Sequence, residues 1–223
     1  MSQLCQRYDM NIEMFERLPQ EKQDKIFQAA LSEFAAYGFD AASTNRIVKQ
    51  AGIPKGSLFQ YFGDKESLFF YVYGKIERDV EEQQDYTKRN LPSDFVEATV
   101  YLLERDLDYM KSKPKYLQFI HIIVSQPLHP VYQKLEERTQ GKEPAVEIQK
   151  FISSIPREQL REDIHFEDIL QAVTFIISSA AQKIEKLIIA SDANLGSIDA
   201  ELSVVIQELR TCLDLFRYGI YKP

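Results

Sequence analysis

Apolar residues recur along this chain at three- and four-residue spacing and show no convincing alternation, the signature of amphipathic helices rather than strands. The pattern becomes clear from Pro19. Ile26, Phe27, Ala30, Leu31, Phe34 and Ala35 line one face of a helix that ends at Tyr37-Gly38-Phe39, with Gly38 as the expected left-handed cap. Two short apolar faces follow, Ile47, Val48 and Ala51, then Leu58, Phe59 and Phe62. A longer stripe of Leu68, Phe69, Val72, Tyr73, Ile76 and Val80 predicts a helix over 65–88. Breaks at Asn90–Asp94, Lys113-Pro114 and Gln126–Pro130 set off a helix at 92–112, a very apolar segment at 115–125 and a polar helix at 130–140. Beyond Gly141–Pro144 lie a helical stretch to Ser154 and a short turn or helix over Pro156–Arg161. Two long amphipathic helices, 165–190 and 197–218, finish the chain. Residues 1–18 have a broken pattern and read as a loose arm or a short extra helix. The fold class is therefore all-α.

Punctuation between Ser43 and Lys65 is dense. Ser43 is an N-cap residue type, Gly52 closes the first short helix, Ile53 fills the turn and Pro54 starts the second. Gly63 and Asp64 end that helix, and Asp64 is placed to cap the next. Two helices joined by a turn of about four residues form a helix-turn-helix.

Composition changes this picture little; charge changes it more. The net charge is −7, which by itself argues against a nucleic-acid partner. Residues 1–66 nevertheless hold eight Lys/Arg against nine Asp/Glu, and residues 67–223 hold nineteen against twenty-five. The acidity thus lies mostly outside the helix-turn-helix, and a local basic face is compatible with it. No apolar run approaches the roughly 18 residues of a membrane span. A polar N-terminal stretch without a signal-like run, and only Cys5 and Cys212, lead to the expectation of a cytoplasmic protein without disulfides, metal or cofactor.

The stretch Ile26 to Leu68, with IFQAALSEFAAYGFDAAS, then TNRIVKQAGIPKGSLFQYF, then DKESL, resembles the DNA-binding domain of the TetR family of bacterial transcriptional regulators. That resemblance implies a homodimer. Each subunit would carry an N-terminal three-helix DNA-binding domain (residues 1–66 with the arm) and a larger helical ligand-binding and dimerisation domain (67–223). Its partners would be double-stranded operator DNA and a small effector. By match to the family motif, Lys55 and Gln60 are base-contact candidates, and Asn45 is a further groove contact. Lys55-Gly56-Ser57 offers a donor, room for close approach and a hydroxyl at the end of the helix that faces base edges. Ser43 and Thr44 can bond phosphate at a helix N-terminus, and Tyr61, taken as partly exposed, and Lys65 are phosphate-anchor candidates. One departure stands out. Many members of the family have tyrosine where this chain has Phe59, and phenylalanine cannot donate to a phosphate.

For the second domain the expected cavity lining is Tyr73, Tyr101, Tyr109, Phe119, His121, Ile122, Ile123, Phe151 and Phe175, a mixture suited to a small hydrophobic or amphipathic effector. The helix from residue 65 is the expected lever between cavity and reading head. Dimerisation is expected through 165–190 and 197–218, where Ser178, Ser179, Ala180 and Ala181 permit close helix approach. Two other function classes compete. A helical protein-interaction module without DNA binding leaves the small residues and Lys55 at the start of the second short helix unexplained. A metal-dependent helical-bundle enzyme has only Glu162-x-x-His165 to offer, with no matching carboxylates and no HExxH, CxxC, P-loop or GxSxG.

Overall fold

The computed structural model describes residues 12–83, 92, 94–139, 163, 165–191 and 194–220. Among them the regular structure is helical: α1 (Ile12–Glu16), α2 (Gln20–Ala41), α3 (Thr44–Ala51), α4 (Lys55–Phe62), α5 (Lys65–Gln83), α6 (Phe95–Lys111), α7 (Pro114–Ser125), α8 (Pro130–Thr139), α9 (Phe166–Ala190) and α10 (Asp199–Ile220), with a 3-10 turn at Leu195–Ile198. The readings made for residues 84–88, for 141–162 including Phe151, and for Glu162 lie outside the described residues. None of the described helices is long and apolar enough to cross a membrane.

Local chemistry sets most boundaries. Gly52 closes α3 in the left-handed conformation. Gly63, also at positive φ, ends α4 and donates its N–H to the Phe59 carbonyl at 2.8 Å. The Asp64 carboxylate caps α5 by accepting from the Ser67 N–H at 2.7 Å, and Asp94 caps α6 by accepting from Glu97. Gly38 interrupts α2 as expected, though with φ 68° and ψ −177° rather than a left-handed helical cap. A β-carbon there would lie 3.5 Å from both the Ile122 side chain and the Tyr132 hydroxyl. Those are ordinary contacts, so it is the positive φ that calls for glycine at this point.

By packing, the chain divides into two compact units. The first holds α1–α5 up to Glu82 together with α7 and α8; the second holds α6, α9 and α10. The boundary read from the motif, residue 66, falls within the first turn of α5, which runs on unbroken, and helices 114–139 return to the N-terminal unit. Phe69 of α5 is the hub of that unit. Its ring lies 5.1 Å from Phe34, 5.6 Å from Phe39, 5.0 Å from Phe119 and 5.6 Å from Tyr132, and each such aromatic pair adds about 0.5–1.5 kcal/mol beyond its burial. In the second unit, Ile169, Val173, Ala180 and Ile184 of α9 and Leu202, Val205, Leu209 and Leu213 of α10 form the buried stripes. Ion pairs Arg210–Glu97 and Arg217–Asp94 fasten α10 to α6.

Candidate nucleic-acid interface

The two short helices of the motif owe their shape to a small apolar set. Ile47, Val48, Ala51, Ile53, Leu58 and Phe62 are buried, so each helix commits one face inward and leaves the other to solvent. The outward face of α4 carries Lys55, Gly56, Phe59 and Gln60, all exposed, with Ser57 half-buried beside them. Asn45 stands exposed in the first turn of α3, and Ser43 and Thr44 are half-buried at its start. Exposed Lys49 shares this side of the sequence pattern with Lys55. Ser43, Thr44 and Asn45 lie at the N-terminus of α3, and Lys55, Gly56 and Ser57 at that of α4, where backbone N–H groups and the helix dipole favour anions.

The first turn of α3 is held by a group that the sequence reading did not single out. Glu33 of α2 is only 5% exposed. Its carboxylate accepts the Ser43 backbone N–H at 2.8 Å and the Arg46 Nε at 2.8 and 3.0 Å. Arg46 also donates to the Ala41 carbonyl at 2.9 Å and lies over the Tyr37 ring at 4.4 Å. The hydrogen bond to Glu33 raises the Arg46 pKa further above its already high value. Arg46 is therefore a fastener between α2 and α3 rather than a solvated charge. Ser43 occupies the N-cap position, but its side chain makes no capping hydrogen bond; the stabilisation comes through its backbone N–H and Glu33 instead.

Three further expectations are corrected. Phe59, read as part of the buried side, is 38% exposed, with Lys55 Nζ 5.9 Å from its ring. Tyr61, read as partly exposed, is 7% exposed, because its ring packs edge-on against Phe15 at 5.9 Å. Lys65 does not stand ready for a phosphate. Its ammonium donates to the carbonyls of Asp40 and Ala42 at 3.2 and 3.3 Å and lies 4.6 Å from the Phe39 ring. A cation there serves the carbonyl end of α2.

The residues expected to line an effector cavity fall in both units. Tyr73, Phe119, His121, Ile122 and Ile123 belong to the first unit, Tyr101, Tyr109 and Phe175 to the second. Phe119 is fully engaged in the aromatic core. Tyr73, His121, Ile122 and Ile123 are half-buried, and burial pushes the Tyr73 phenol up to about 12. Tyr109 is half-buried, with Lys113 Nζ 5.8 Å from its ring. Tyr101 is exposed, and so is Phe175. An amphipathic stripe says which residues share a helix face but not what covers that face. Phe175 instead lines an open depression along α9 with Glu167, Leu170, Gln171, Thr174 and Ser178. Among the described residues no group of three His, Cys, Asp or Glu is placed to hold a metal ion.

A family profile described as bacterial regulatory proteins of the tetR family matches residues 26–72. A helix-turn-helix-type transcriptional repressor of Streptomyces coelicolor is 30% identical over 107 residues, which are 48% of this chain and 52% of that protein. The repressor AcnR of Corynebacterium glutamicum is 35% identical over 51 residues, 23% of this chain and 27% of its own length. The chain thus spans about half, or less, of the curated relatives it matches. Similarity of fold extends much further. A TetR-like transcriptional regulator from a Rhodococcus species superposes with a TM-score of 0.57 at 17% identity, covering 88% of this chain and 96% of that one. The fatty acid degradation regulator FadR of Bacillus halodurans does so with 0.59 at 16% identity, covering 85% and 96%.

Proposed function

We propose, from the match of residues 26–72 to the TetR family profile and the likeness to repressors of that type, that the chain is a TetR-family DNA-binding transcriptional regulator, not an enzyme, that reads operator DNA with α4. The observation that carries this reading is Gly56. It is the second residue of α4, is exposed, has nothing within 4 Å of where a β-carbon would be, and is not among the positive-φ glycines. A glycine in a helix costs up to about 1 kcal/mol relative to alanine, and nothing in the chain's own packing calls for it. A surface approaching from outside does, and a base edge in the major groove is such a surface. Lys55, Gln60 and Asn45 are the proposed base contacts. Ser43, Thr44 and Ser57 are the proposed hydroxyl contacts, with Gly56 providing closeness. Tyr61 and Lys65 are left out of this set, one because it is buried and the other because its ammonium is engaged.

Repression is the mode proposed, as it is named for the Streptomyces and Corynebacterium relatives. The functional boundary is proposed at residue 66, with 1–66 as the reading head. We also assign dimerisation to α9 and α10, whose outward faces leave Phe175, Val204, Leu215 and Tyr218 exposed. Release by a small, mostly apolar effector is the finer part of the proposal. It is supported by half-buried Tyr73 and His121, which combine apolar bodies with polar tips, beside half-buried and wholly apolar Ile122. An effector acts only through its differential affinity for the binding and non-binding states.

The test is a titration of DNA from the chain's own upstream region at several salt concentrations. The expected result is specific binding whose logarithm falls linearly with the logarithm of salt, weakened in Lys55→Ala and Gln60→Ala. Absence of any salt-dependent binding to that DNA overturns the regulator reading. A compound that binds by calorimetry yet leaves operator affinity unchanged removes the effector half for that compound's class.

A further inference from the structure

We propose that the short helix α1 is a strap that holds the reading helix from behind, with Phe15 as its positioning residue; this rests on the regulator reading of α4. Phe15 is completely buried. Its ring lies 4.9 Å from Phe62 and 5.9 Å from Tyr61, both on α4, and 5.0 Å from Tyr71 on α5. Phe62 and Tyr71 also touch each other at 5.1 Å, so Phe15 completes a four-ring cluster under the C-terminal turn of α4. That turn also carries Gln60 on its outward side.

An eight-residue helix is not stable by itself in water. The orientation of α4 is therefore set by what backs it, and part of that backing comes from residue 15, outside the 26–72 stretch that matches the family. The strap is tethered at its far end. The Leu18 N–H donates to the Phe15 carbonyl at 3.0 Å, and the Gln23 side chain of α2 donates to the carbonyls of Glu16 and Leu18 at 3.0 and 2.8 Å. The link from α1 into α2 is thus short and hydrogen-bonded rather than a free leash.

Charge separates a strap from a DNA-touching arm. The exposed residues of α1 include Glu13 and Glu16, and the neighbouring Arg17 is paired with Glu13 at 3.3 Å. Two carboxylates and one neutralised guanidinium repel phosphate. Helix α1 therefore serves the interface through the position of α4, by keeping the reading helix in its binding orientation before DNA arrives.

The experiment uses the full chain with Phe15→Ala and Phe15→Leu. It measures amide hydrogen exchange along α4, operator affinity and the salt slope. In Phe15→Ala the α4 amides are expected to exchange about tenfold faster, while those of α9 and α10 are unchanged. If the competent orientation falls to about one molecule in ten, operator affinity falls about tenfold. The salt slope stays at its wild-type value, because the phosphate contacts are the same, and Phe15→Leu restores most of both losses. Should the alanine variant not fold, the leucine variant carries the same test at smaller amplitude. Unchanged α4 exchange in a folded Phe15→Ala protein overturns the strap, as does operator affinity within about twofold of wild type despite faster exchange. A reduced salt slope places α1 on the DNA and overturns it as well. A wild-type chain that binds no promoter DNA, with α4 exchange still raised by Phe15→Ala, removes the regulator reading and leaves the strap standing.

Discussion

Among the described residues, two helical surfaces are open to solvent, and their chemistries are opposite. The outer face of α4 is polar and small, with Lys55, Gly56 and Gln60 exposed beside a single partly covered ring, Phe59. The outer faces of α9 and α10 are large and apolar, with Phe175 75% exposed and Tyr218 79% exposed, and Val204 and Leu215 also open. Val204, Leu215 and Tyr218 recur with the helical period, so they form one stripe on α10 rather than scattered residues. Leaving such a stripe in water costs roughly 25 cal/mol for each Å², a cost that a second apolar surface removes. The α4 face carries no such penalty. Its cost is the exposed glycine in the first turn of α4, up to about 1 kcal/mol, which the proposed close approach of DNA would offset. One face suits nucleic acid and the other suits protein, and the difference is legible in side-chain size and polarity rather than in net charge.

The contrast breaks most readily at the apolar face. Phe175→Glu combined with Leu215→Glu is expected to convert a dimer at micromolar concentration to a monomer in sedimentation, because burying two carboxylates in an apolar contact costs several kcal/mol. Operator affinity should fall with it by at least about a hundredfold, since two linked reading heads bind far more tightly than one. A wild-type chain that sediments as a monomer removes the assignment of this face.

Next in size is the fastener beneath the polar face. Arg46→Ala leaves the buried Glu33 carboxylate without its cation and should lower the midpoint of a denaturant titration. An unchanged midpoint would make Arg46 an ordinary surface charge. Smaller but sharper is Gly56→Ala. There is room for the methyl group in the free protein, so the variant should gain about 1 kcal/mol of stability while its operator affinity falls. Opposite signs from one methyl group separate a binding surface from a structural one; a gain in both would contradict the close approach.

The last effect is confined to alkaline pH. Burial pushes the Tyr71 phenol up to about 12 from 10.0 and that of Tyr73 likewise. Both folded values lie above the unfolded one, so their stabilising contribution is complete below pH 10 and is lost as pH rises from 10 towards 12. Thermal melts should be level with respect to these two groups up to pH 10 and fall beyond it. Phe15→Ala should bring forward the ionisation of Tyr71 but not of Tyr73, read by phenolate absorbance.

What was legible in the sequence is what neighbouring residues decide. The ends of α3, α4 and α5 follow from Gly52, Pro54, Gly63 and Asp64, each of which acts within a few residues of itself. The pairing of Glu33 with Arg46 spans thirteen residues and two helices, and nothing local distinguishes that arginine from Lys49. Tyr61 was misjudged for the same reason. The ring that covers it belongs to Phe15, in a stretch whose apolar pattern is too short to read. For the effector lining the pattern says least, because periodicity groups residues by face and cannot tell a face turned inward, such as that of Phe119, from one turned outward, such as that of Phe175. A buried acidic residue inside an otherwise apolar run, Glu33 between Leu31 and Phe34, was the one available hint of the fastener.

The return of α7 and α8 to the first unit has a consequence for how the protein is made. Phe119 and Tyr132 leave the ribosome about fifty and sixty residues after Phe69, the ring they cover, which at ordinary rates of synthesis is a delay of roughly 3 to 12 seconds. During that interval the helix-turn-helix already exists as a sequence, but the apolar side of α5 behind it has no lid. The nascent reading head therefore waits for later-translated helices before it is finished, and for those seconds its hub is open to any chaperone or neighbouring chain that meets it.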